Sequence, residues 1–401
     1  MKVAAHNHGK LNLRLEIPKV SGNTVRLDGY LKFPNDREYH IFFEFTAPNA
    51  NQAQINPRPF LLACLPIAMI HGLDLHCEHG VDKVTRQNLT LWAKTYARWI
   101  PQRLQCVKLD MPDAPCIRMP GANGTLQAFS GGVDSCHTLL NRNPHRRHAG
   151  LMVHGFDIPL KRSAEFESVW KNSADILHEY AAESYQLRTN LRECEAIRPR
   201  LNWEKESHGI WIAAALACLE PWFDEIIIPS TFCTDALLTP WGSHPETDPL
   251  FSSESVSYRQ HGQELDKLGK IAELVAYPNL TERLRVCWQL NHLLTERLRA
   301  YWQLNHLPSN CGHCFKCVTT QTCLWISGSP RSAAFPNPCS INELENIQIT
   351  KEPNRYLITR MEAVARQKNR TDIADQLMSA LSRSNLHTFQ RLSRWFKKLF
   401  S

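Results

Sequence analysis

The first segment that could do chemistry is the hexapeptide SGGVDS at residues 130–135, which directly follows the apolar run LQAF. A glycine pair between a strand and a helix start leaves backbone N–H groups pointing at an anion, at the positive end of the helix dipole. The hexapeptide therefore predicts a phosphate or pyrophosphate site. We expect this site to consist of Ser130, Gly131, Gly132, Val133, Asp134 and Ser135.

Asp134 is the unusual residue of this site, because a carboxylate repels phosphate. Its presence is explained if it caps the loop or helps to hold a Mg²⁺ ion that bridges the phosphates. We therefore predict that Asp134 and Ser135 are catalytic residues. The lysine of the GxxxxGK[ST] loop is missing, which excludes an ordinary NTPase that cleaves the outer phosphate. A glycine turn followed by a serine N-cap is the alternative without catalytic function.

The second segment is NCGHCFKC at residues 310–317, which has C-x2-C-x2-C spacing. Its three thiols belong to Cys311, Cys314 and Cys317. Thiolates at this spacing are typical of a metal site, and a tetrahedral zinc ion needs a fourth ligand. The residues alone leave three candidates for it, Cys287, Cys323 and His313. We expect a closed structural zinc site, with an iron–sulfur cluster as the alternative.

The elements around the hexapeptide alternate between strands and helices. From Thr125 onward the apolar runs LQAF, LMVHGFDI, YQLRTNL and EIIIPS are separated by helical stretches, including one across 207–220. This alternation predicts an α/β fold with a doubly wound parallel sheet. Ligands of such sheets bind beyond the carboxyl ends of the strands, and SGGVDS follows the first of them.

The preceding part of the chain has a different pattern. The runs LNLRLEI, TVRLDGYLKF and EYHIFFEFT predict an antiparallel meander, followed by helices over 60–71 and 81–100 and a strand over 104–111. Prolines and glycines between 112 and 124 mark a boundary. We therefore predict an N-terminal α+β domain at 1–120, an α/β domain with the zinc site at 121–330 and a helical basic segment at 331–401.

Composition and charge exclude several classes of protein. The 401 residues are 43% hydrophobic and 21% charged, which is ordinary globular usage. No apolar run reaches the roughly 18 to 20 residues that a bilayer span needs, and the polar N-terminus is unlike a signal peptide. We expect a cytoplasmic protein with no membrane span.

The excess of positive over negative residues lies at the end of the sequence. Residues 351–401 contain eleven Lys and Arg against four Asp and Glu, which accounts for the whole net charge of +7. Nucleic-acid binding is therefore not required to explain it. The run RLSRWFKKLF predicts a basic amphipathic helix that either docks by its aromatic side or contacts RNA, an acidic partner or a membrane surface.

Taken together, SGGVDS near the start of an α/β domain and NCGHCFKC near its end resemble the QueC family of 7-cyano-7-deazaguanine synthases, which are PP-loop (N-type) ATP pyrophosphatases. The chain looks most like the QueC-like proteins of anti-phage loci, the QatC type, which carry an extra N-terminal domain. Further similar segments are HGFDIPL, TNLR, PWGSHPETDPLFSSE and LRVCW. The resemblance covers residues 125–330 and implies an adenine nucleotide alpha hydrolase-like fold.

The resemblance also implies binding residues. His154 and Gly155 end the second strand of the α/β domain, where they would meet the adenosine of ATP. The substrate would be contacted by Arg192, Trp241, His244, Asp248, Phe251 and Glu254. A hydrogen-bonded strand-end histidine, an exposed arginine and an ordinary surface loop are the alternatives.

For the zinc site, the resemblance implies a cysteine upstream of the triplet, and LRVCW maps it to Cys287. A tandem duplication complicates this assignment. LTERLRVCWQLNHL at 280–293 is followed by LTERLRAYWQLNHL at 294–307, which has Tyr301 in place of the cysteine. Either Cys287 still reaches the triplet or Cys323 substitutes for it.

The function implied by the resemblance needs ATP, Mg²⁺ and Zn²⁺. A 7-deazaguanine carboxylate would be adenylated, and an amine would then attack the activated carbonyl. The extra N-terminal domain suggests recognition of a large acceptor, so we expect the amine to come from a partner protein, such as one encoded in the same defence locus. Ammonia as the amine, with nitrile synthesis, is the simpler outcome. A tRNA-modifying PP-loop enzyme and a nonenzymatic, nucleotide-binding defence adaptor are the other two hypotheses.

Overall fold

The computed structural model describes residues 9–194, 201–237, 239–287 and 310–384. The protein has an α/β fold with one mixed sheet of eleven strands. Six of the ten strand pairings are parallel. The predicted α/β class is therefore confirmed, but the sheet is larger than expected and not wholly parallel.

Short strands and helices alternate along most of the described chain. The strands are β1 (Lys10–Leu15), β2 (Lys19–Ser21), β3 (Thr24–Lys32), β4 (Glu38–Thr46), β5 (Asp74–Cys77), β6 (Leu109–Asp110), β7 (Thr125–Ala128), β8 (His148–His154), β9 (Glu183–Thr189), β10 (Glu225–Pro229) and β11 (Ser257–His261). The helices are α1 (Arg58–His71), α2 (Lys83–Trp99), α3 (Val133–Leu140), α4 (Ser163–Glu179), α5 (His208–Ala217), α6 (Lys267–Leu274), α7 (Pro278–Thr281), α8 (Phe315–Ile326) and α9 (Glu352–Gln367), and residues 371–384 are also helical.

The sheet has the strand order β11-β10-β7-β8-β9-β4-β3-β1-β5-β6, with β2 beside β3. Its first five strands are all parallel to one another. The chain runs outward from β7 through β8 to β9, and then returns to the other side of β7 for β10 and β11. The strand order therefore reverses between β7 and β10, which is the arrangement of a doubly wound sheet.

The predicted N-terminal meander is present, and its strands have an alternating burial pattern. In β1 the side chains of Leu11, Leu13 and Leu15 are buried while their neighbours are exposed. Strand β3 pairs antiparallel with both β1 and β4. The predicted helices over 60–71 and 81–100 correspond to α1 and α2, whereas the predicted strand over 104–111 is reduced to the two residues of β6.

The meander is not separated from the parallel strands. Strand β4 pairs antiparallel with β9, with Phe43 opposite Thr189. Helix α1 is apolar on nearly all sides and packs on α5, where the indole nitrogen of Trp211 donates a hydrogen bond to the carbonyl of Ala63 at 3.1 Å. Both contacts join residues before 120 to residues after it within one core.

The chain forms two compact units. The first consists of Met1–Ser130, Arg142–Ser230 and Thr239–His261 and contains the sheet, and the second consists of Gly131–Asn141, Thr231–Leu238 and Gly262–Ser401 and contains α3 and α6 to α9. This division differs from the predicted parts 1–120, 121–330 and 331–401. The reason is that β4 continues the sheet beyond β9 within the first unit, while α3 packs on α6 within the second.

Two of the sequence predictions concern residues outside the described ranges. The first is the basic run at 391–400. The second is the tandem duplication, of which residues 288–307 lie outside the described ranges. Within the described ranges, no helix combines the length and the apolar character that crossing a bilayer would require.

Candidate phosphate site and metal centre

The predicted phosphate loop ends at the first turn of α3, within the second unit. Gly131 has a φ of +70°, which favours glycine, and Gly132 is the N-cap residue of α3. The carbonyl of Gly132 accepts a hydrogen bond from Cys136 N at 2.9 Å, and the carbonyl of Gly131 accepts one from Arg285 N at 2.8 Å. The first-turn N–H groups of a helix have no acceptor within the helix, so they can serve an anion.

Asp134 lies in this first turn and forms an ion pair with Lys270 of α6. The Lys270 ammonium nitrogen is 2.8 Å from Oδ1 of Asp134. The Lys270 side chain is 1% exposed, whereas that of Asp134 is 30% exposed. The sequence-distant Lys270 therefore places a cation beside the loop that lacks a lysine of its own.

These residues could accept an anion such as phosphate. The helix start and Lys270 supply positive potential, and the part-exposed Asp134 carboxylate offers an oxygen to a hard cation such as Mg²⁺. Ser135 is buried and its hydroxyl donates to the carbonyl of Gly132 at 3.1 Å. Burial raises the pKa of Cys136 to about 12, which agrees with a packing role for that thiol. Ser130, the first residue of the predicted loop, belongs to the first unit.

Four cysteines of the second unit form a cluster that could hold a metal ion. They are Cys287, Cys311, Cys314 and Cys317, and their sulfur atoms all lie within 4.8 Å of one another. The sulfurs of Cys287 and Cys314 are 3.8 Å apart, as are those of Cys311 and Cys317. Zinc–sulfur bonds of about 2.3 Å in a tetrahedron give sulfur separations of about 3.8 Å. The geometry therefore fits zinc.

The other two candidates for the fourth ligand lie elsewhere. Cys323 is buried in α8 and is not a member of the cluster; burial raises the pKa of its thiol to about 12. His313 is part-exposed, and its ring nitrogen Nδ1 is 2.9 Å from a carboxylate oxygen of Glu343. Cys287 completes the group despite the duplication that follows it.

The thiols of the cluster also influence one another. Hydrogen bonds from Cys287, Cys314 and Cys317 lower the pKa of Cys311, because three S–H donors stabilise one thiolate. Hydrogen bonds with Cys287, Cys311 and Cys314 raise the pKa of Cys317, because they stabilise its protonated thiol beside the other sulfurs. Four thiolates therefore require a cation among them, which zinc would supply.

Asn310 holds the segment that carries Cys287. Its side-chain oxygen accepts hydrogen bonds from Val286 N at 2.9 Å and Cys287 N at 3.1 Å. Its side-chain nitrogen donates to the carbonyls of Leu284 at 2.7 Å and Ala334 at 2.8 Å. Because this side chain is fully buried and uses all these groups, Asn310 positions the fourth ligand.

Asn310→Ala should weaken zinc binding by about 10- to 100-fold, because it leaves the N–H groups of Val286 and Cys287 and the carbonyls of Leu284 and Ala334 without their partner. Competition with a chromophoric chelator measures the affinity. His313→Ala is the matched control, since it changes a residue inside the same octapeptide that is not a ligand. Equal affinity for the two variants would contradict the role of Asn310.

The predicted adenosine residues lie at the end of β8 in the first unit. His154 is buried, its ring stacks on Phe166 with centroids 4.3 Å apart, and Nε2 is 3.1 Å from the carbonyl oxygen of Pro159. Burial lowers the pKa of His154. Gly155 has a φ of +107°, and a Cβ atom there would lie 1.9 Å from the carbonyl oxygen of Thr189. Both residues therefore shape the strand end through internal contacts.

Arg192 also has partners within the first unit. Its guanidinium donates to the carbonyl of Phe156 at 2.9 Å and lies 4.1 Å from the centre of the Trp203 ring. These contacts hold the residues after β8 and β9 together.

The loop of residues 240–254 is mostly packed inside the first unit. His244, Asp248 and Phe251 are buried, while Trp241 is part-buried and Glu254 is exposed. The carbonyl of Trp241 accepts a hydrogen bond from the Tyr96 hydroxyl at 2.7 Å. The loop is therefore held against α2, and its buried side chains shape it rather than face solvent.

The buried carboxylate of Asp248 organises this loop. It accepts hydrogen bonds from Ser243 Oγ at 2.6 Å, Gln260 Nε2 at 2.7 Å and His244 N at 3.1 Å. Burial outweighs these donors and raises the pKa of Asp248 to about 6. The protonated form is thus favoured in the folded protein at mildly acidic pH.

Asp248→Asn should stabilise the protein at pH 7.5 by about 1 to 3 kcal/mol and have little effect near pH 4. An unfolded aspartate titrates near pH 4, so between about pH 4 and 6 the folded state binds more protons, and the stability contributed by Asp248 falls as pH rises. The amide has no charge to bury. Urea denaturation at several pH values measures this. Glu246→Gln, at an exposed carboxylate, is the control. If the free energy of unfolding depends on pH in the same way in the Asp248→Asn variant and in the parent protein, the prediction is wrong.

Sequence reasoning missed two residues that the second unit brings to these sites. Lys270 lies 136 residues after Asp134, and no motif around it indicated a phosphate site. Asn310 directly precedes the cysteine triplet, and its position next to a metal motif was the available signal. No protein-family model, curated protein or solved structure matches the chain.

Proposed function

We propose that the protein is a QueC-like PP-loop enzyme that adenylates a 7-deazaguanine carboxylate with ATP. The observation that carries this proposal is the pairing of Asp134 with the buried Lys270 at a glycine-led helix start. The order of elements along the chain supports it, since the loop directly follows β7 in the sequence and leads into α3.

The reaction would proceed in two transfers. A carboxylate oxygen of the substrate attacks the α-phosphorus of ATP, the bond from that phosphorus to the bridging oxygen breaks, and pyrophosphate leaves. An amine nitrogen then attacks the activated carbonyl carbon, AMP leaves, and the nitrogen loses a proton. Each step develops negative charge on phosphate oxygens, so positioning and charge neutralisation supply most of the catalysis.

The residues have separate roles in this proposal. The α3 start and Lys270 bind and orient the phosphates, and Asp134 would hold Mg²⁺, which neutralises phosphate charge when bound. Zinc on the four cysteines would have a structural role, because all four coordination positions are filled by protein. Arg285, which lies two residues before Cys287, connects the two sites, because its backbone N–H donates a hydrogen bond to the carbonyl of Gly131.

The acceptor amine is the part of the proposal that distinguishes conjugation from nitrile synthesis. With an amine of a partner protein, the product is an amide-linked 7-deazaguanine. With ammonia, the product is a primary amide, and forming a nitrile from it requires loss of water and therefore a second activation. We propose the amine of a partner protein as the acceptor, with ammonia as the alternative.

Product analysis tests the proposal. The protein is incubated with ATP, Mg²⁺ and 7-carboxy-7-deazaguanine, with ammonium or with proteins encoded beside its gene, and products are identified by mass spectrometry. We expect AMP, pyrophosphate and either a covalent protein adduct or a free amide or nitrile. ATP binding without pyrophosphate release would favour a nucleotide-binding adaptor, and steeply salt-dependent tRNA binding would favour a tRNA-modifying enzyme. Either of these results would overturn the proposal.

A further inference from the structure

A groove of about 400 Å³ lies within the second unit, between α6 and α9. One wall is a stripe along α9 that is formed by Tyr356, Arg360, Val364 and, just after the helix, Lys368. At about 1.5 Å per residue this stripe is about 18 Å long. Leu265 and Leu268 contribute an apolar surface opposite. Neither the phosphate site nor the cysteine cluster uses these residues.

Charges are distributed unevenly along the groove. Arg360 is paired with Asp266, whose carboxylate is 3.4 Å away. Asp235 and Glu264 also line the groove, are exposed, and have no ion pair or hydrogen bond with another described residue. The groove therefore presents two carboxylates that no other described residue neutralises.

The end of the groove next to Lys368 contains a polar group without a partner. Ser327 lines the groove, and its hydroxyl oxygen is buried with no hydrogen-bond partner among the described residues. Lys368 lies at the same end, where its ammonium donates to the carbonyl of Ile326 at 3.1 Å. A buried hydroxyl without a partner is costly, and a ligand in the groove would supply the missing hydrogen bond.

We propose that this groove binds an extended peptide segment of a partner protein, with basic side chains that meet Asp235 and Glu264. The length of the α9 stripe suits a short extended chain, because about 18 Å matches about five extended residues at about 3.3 Å each. The apolar wall suits an intervening side chain, and Ser327 can bond to the peptide backbone. This inference does not depend on the proposed enzymatic function.

Fluorescence anisotropy with a labelled pentapeptide, Ala-Lys-Leu-Lys-Ala, tests the proposal on the full chain. We expect saturable binding at low ionic strength that weakens as salt is added. Asp235→Asn with Glu264→Gln should weaken binding about 10-fold or more, because both unneutralised carboxylates are removed. Ala272→Trp should abolish it, because Ala272 is an exposed lining residue and the indole would fill the groove.

The controls match these changes in charge and exposure. Glu78→Gln with Asp175→Asn removes two exposed carboxylates of the first unit and should leave binding unchanged. The peptide Ala-Glu-Leu-Glu-Ala should not bind. Equal affinity of the parent protein and the Asp235/Glu264 variant would overturn the proposal. Lysine amide binding as tightly as the pentapeptide would also overturn it, since the site would then be one for a small cation.

Discussion

Asp134→Asn should lower the rate of pyrophosphate release from ATP by about 100-fold or more. The amide retains the size of the side chain and an oxygen that can accept from Lys270, but it removes the charge that would hold Mg²⁺ beside the phosphates. A coupled pyrophosphate assay with ATP and 7-carboxy-7-deazaguanine measures the rate. Alanine is the poorer substitution here, because it would leave the Lys270 ammonium, 1% exposed, without this carboxylate.

The control for this experiment is Asp175→Asn on α4, which removes an exposed carboxylate from the first unit and should retain full activity. Zinc content and melting temperature of both variants should remain close to those of the parent protein. Lys270→Met should lower the rate as strongly as Asp134→Asn. Normal pyrophosphate release in the Asp134→Asn or the Lys270→Met variant would remove the assignment of this site to ATP.

Cys287→Ser should reduce the zinc bound per chain at least about 10-fold and destabilise the second unit by several kcal/mol, because metal binding contributes directly to folding. A hydroxyl is a much poorer zinc ligand than a thiolate, and Cys287 is one of four sulfurs in the cluster. Metal analysis of the purified protein and thermal denaturation with and without a chelator measure the two effects.

Cys323→Ser makes the same chemical change at a buried cysteine outside the cluster and should leave zinc content unchanged. This pair of variants distinguishes the two ligands that the sequence left open. Loss of zinc from the Cys323 variant but not from the Cys287 variant would show that the duplication had reassigned the site. Absence of any metal from the purified parent protein would defeat the prediction altogether.

Local patterns in the sequence were sufficient for much of the fold. Alternation of apolar and polar residues predicted β3 and β4, because one face of each strand is buried. Apolar runs separated by helices predicted β7 to β10. Strand β11 was missed, since its sequence, SYRQH, has few apolar residues, and β5 was missed because its four residues, DLHC, are too short to show a period.

For the two sites, too, only patterns among residues close together in the sequence could be predicted. The cysteine cluster could be predicted because three of its ligands lie within seven consecutive residues, and this spacing is a local property. The ion pair of Asp134 with Lys270 joins residues 136 positions apart, and it depends on the packing of α3 on α6. Packing of the 240–254 loop against α2 is also a long-range contact. A single sequence contains no direct signal for either.

The pairing of β4 with β9 has a consequence for how this protein can be dissected. Cutting the chain near residue 120 would remove the neighbour of β9 and the helix that covers α5. The remaining fragment would expose an unpaired strand edge and a bare apolar helix face, both of which promote aggregation. The first 120 residues are thus part of one cooperative folding unit, and their contribution to recognition has to be probed by surface substitutions rather than by truncation.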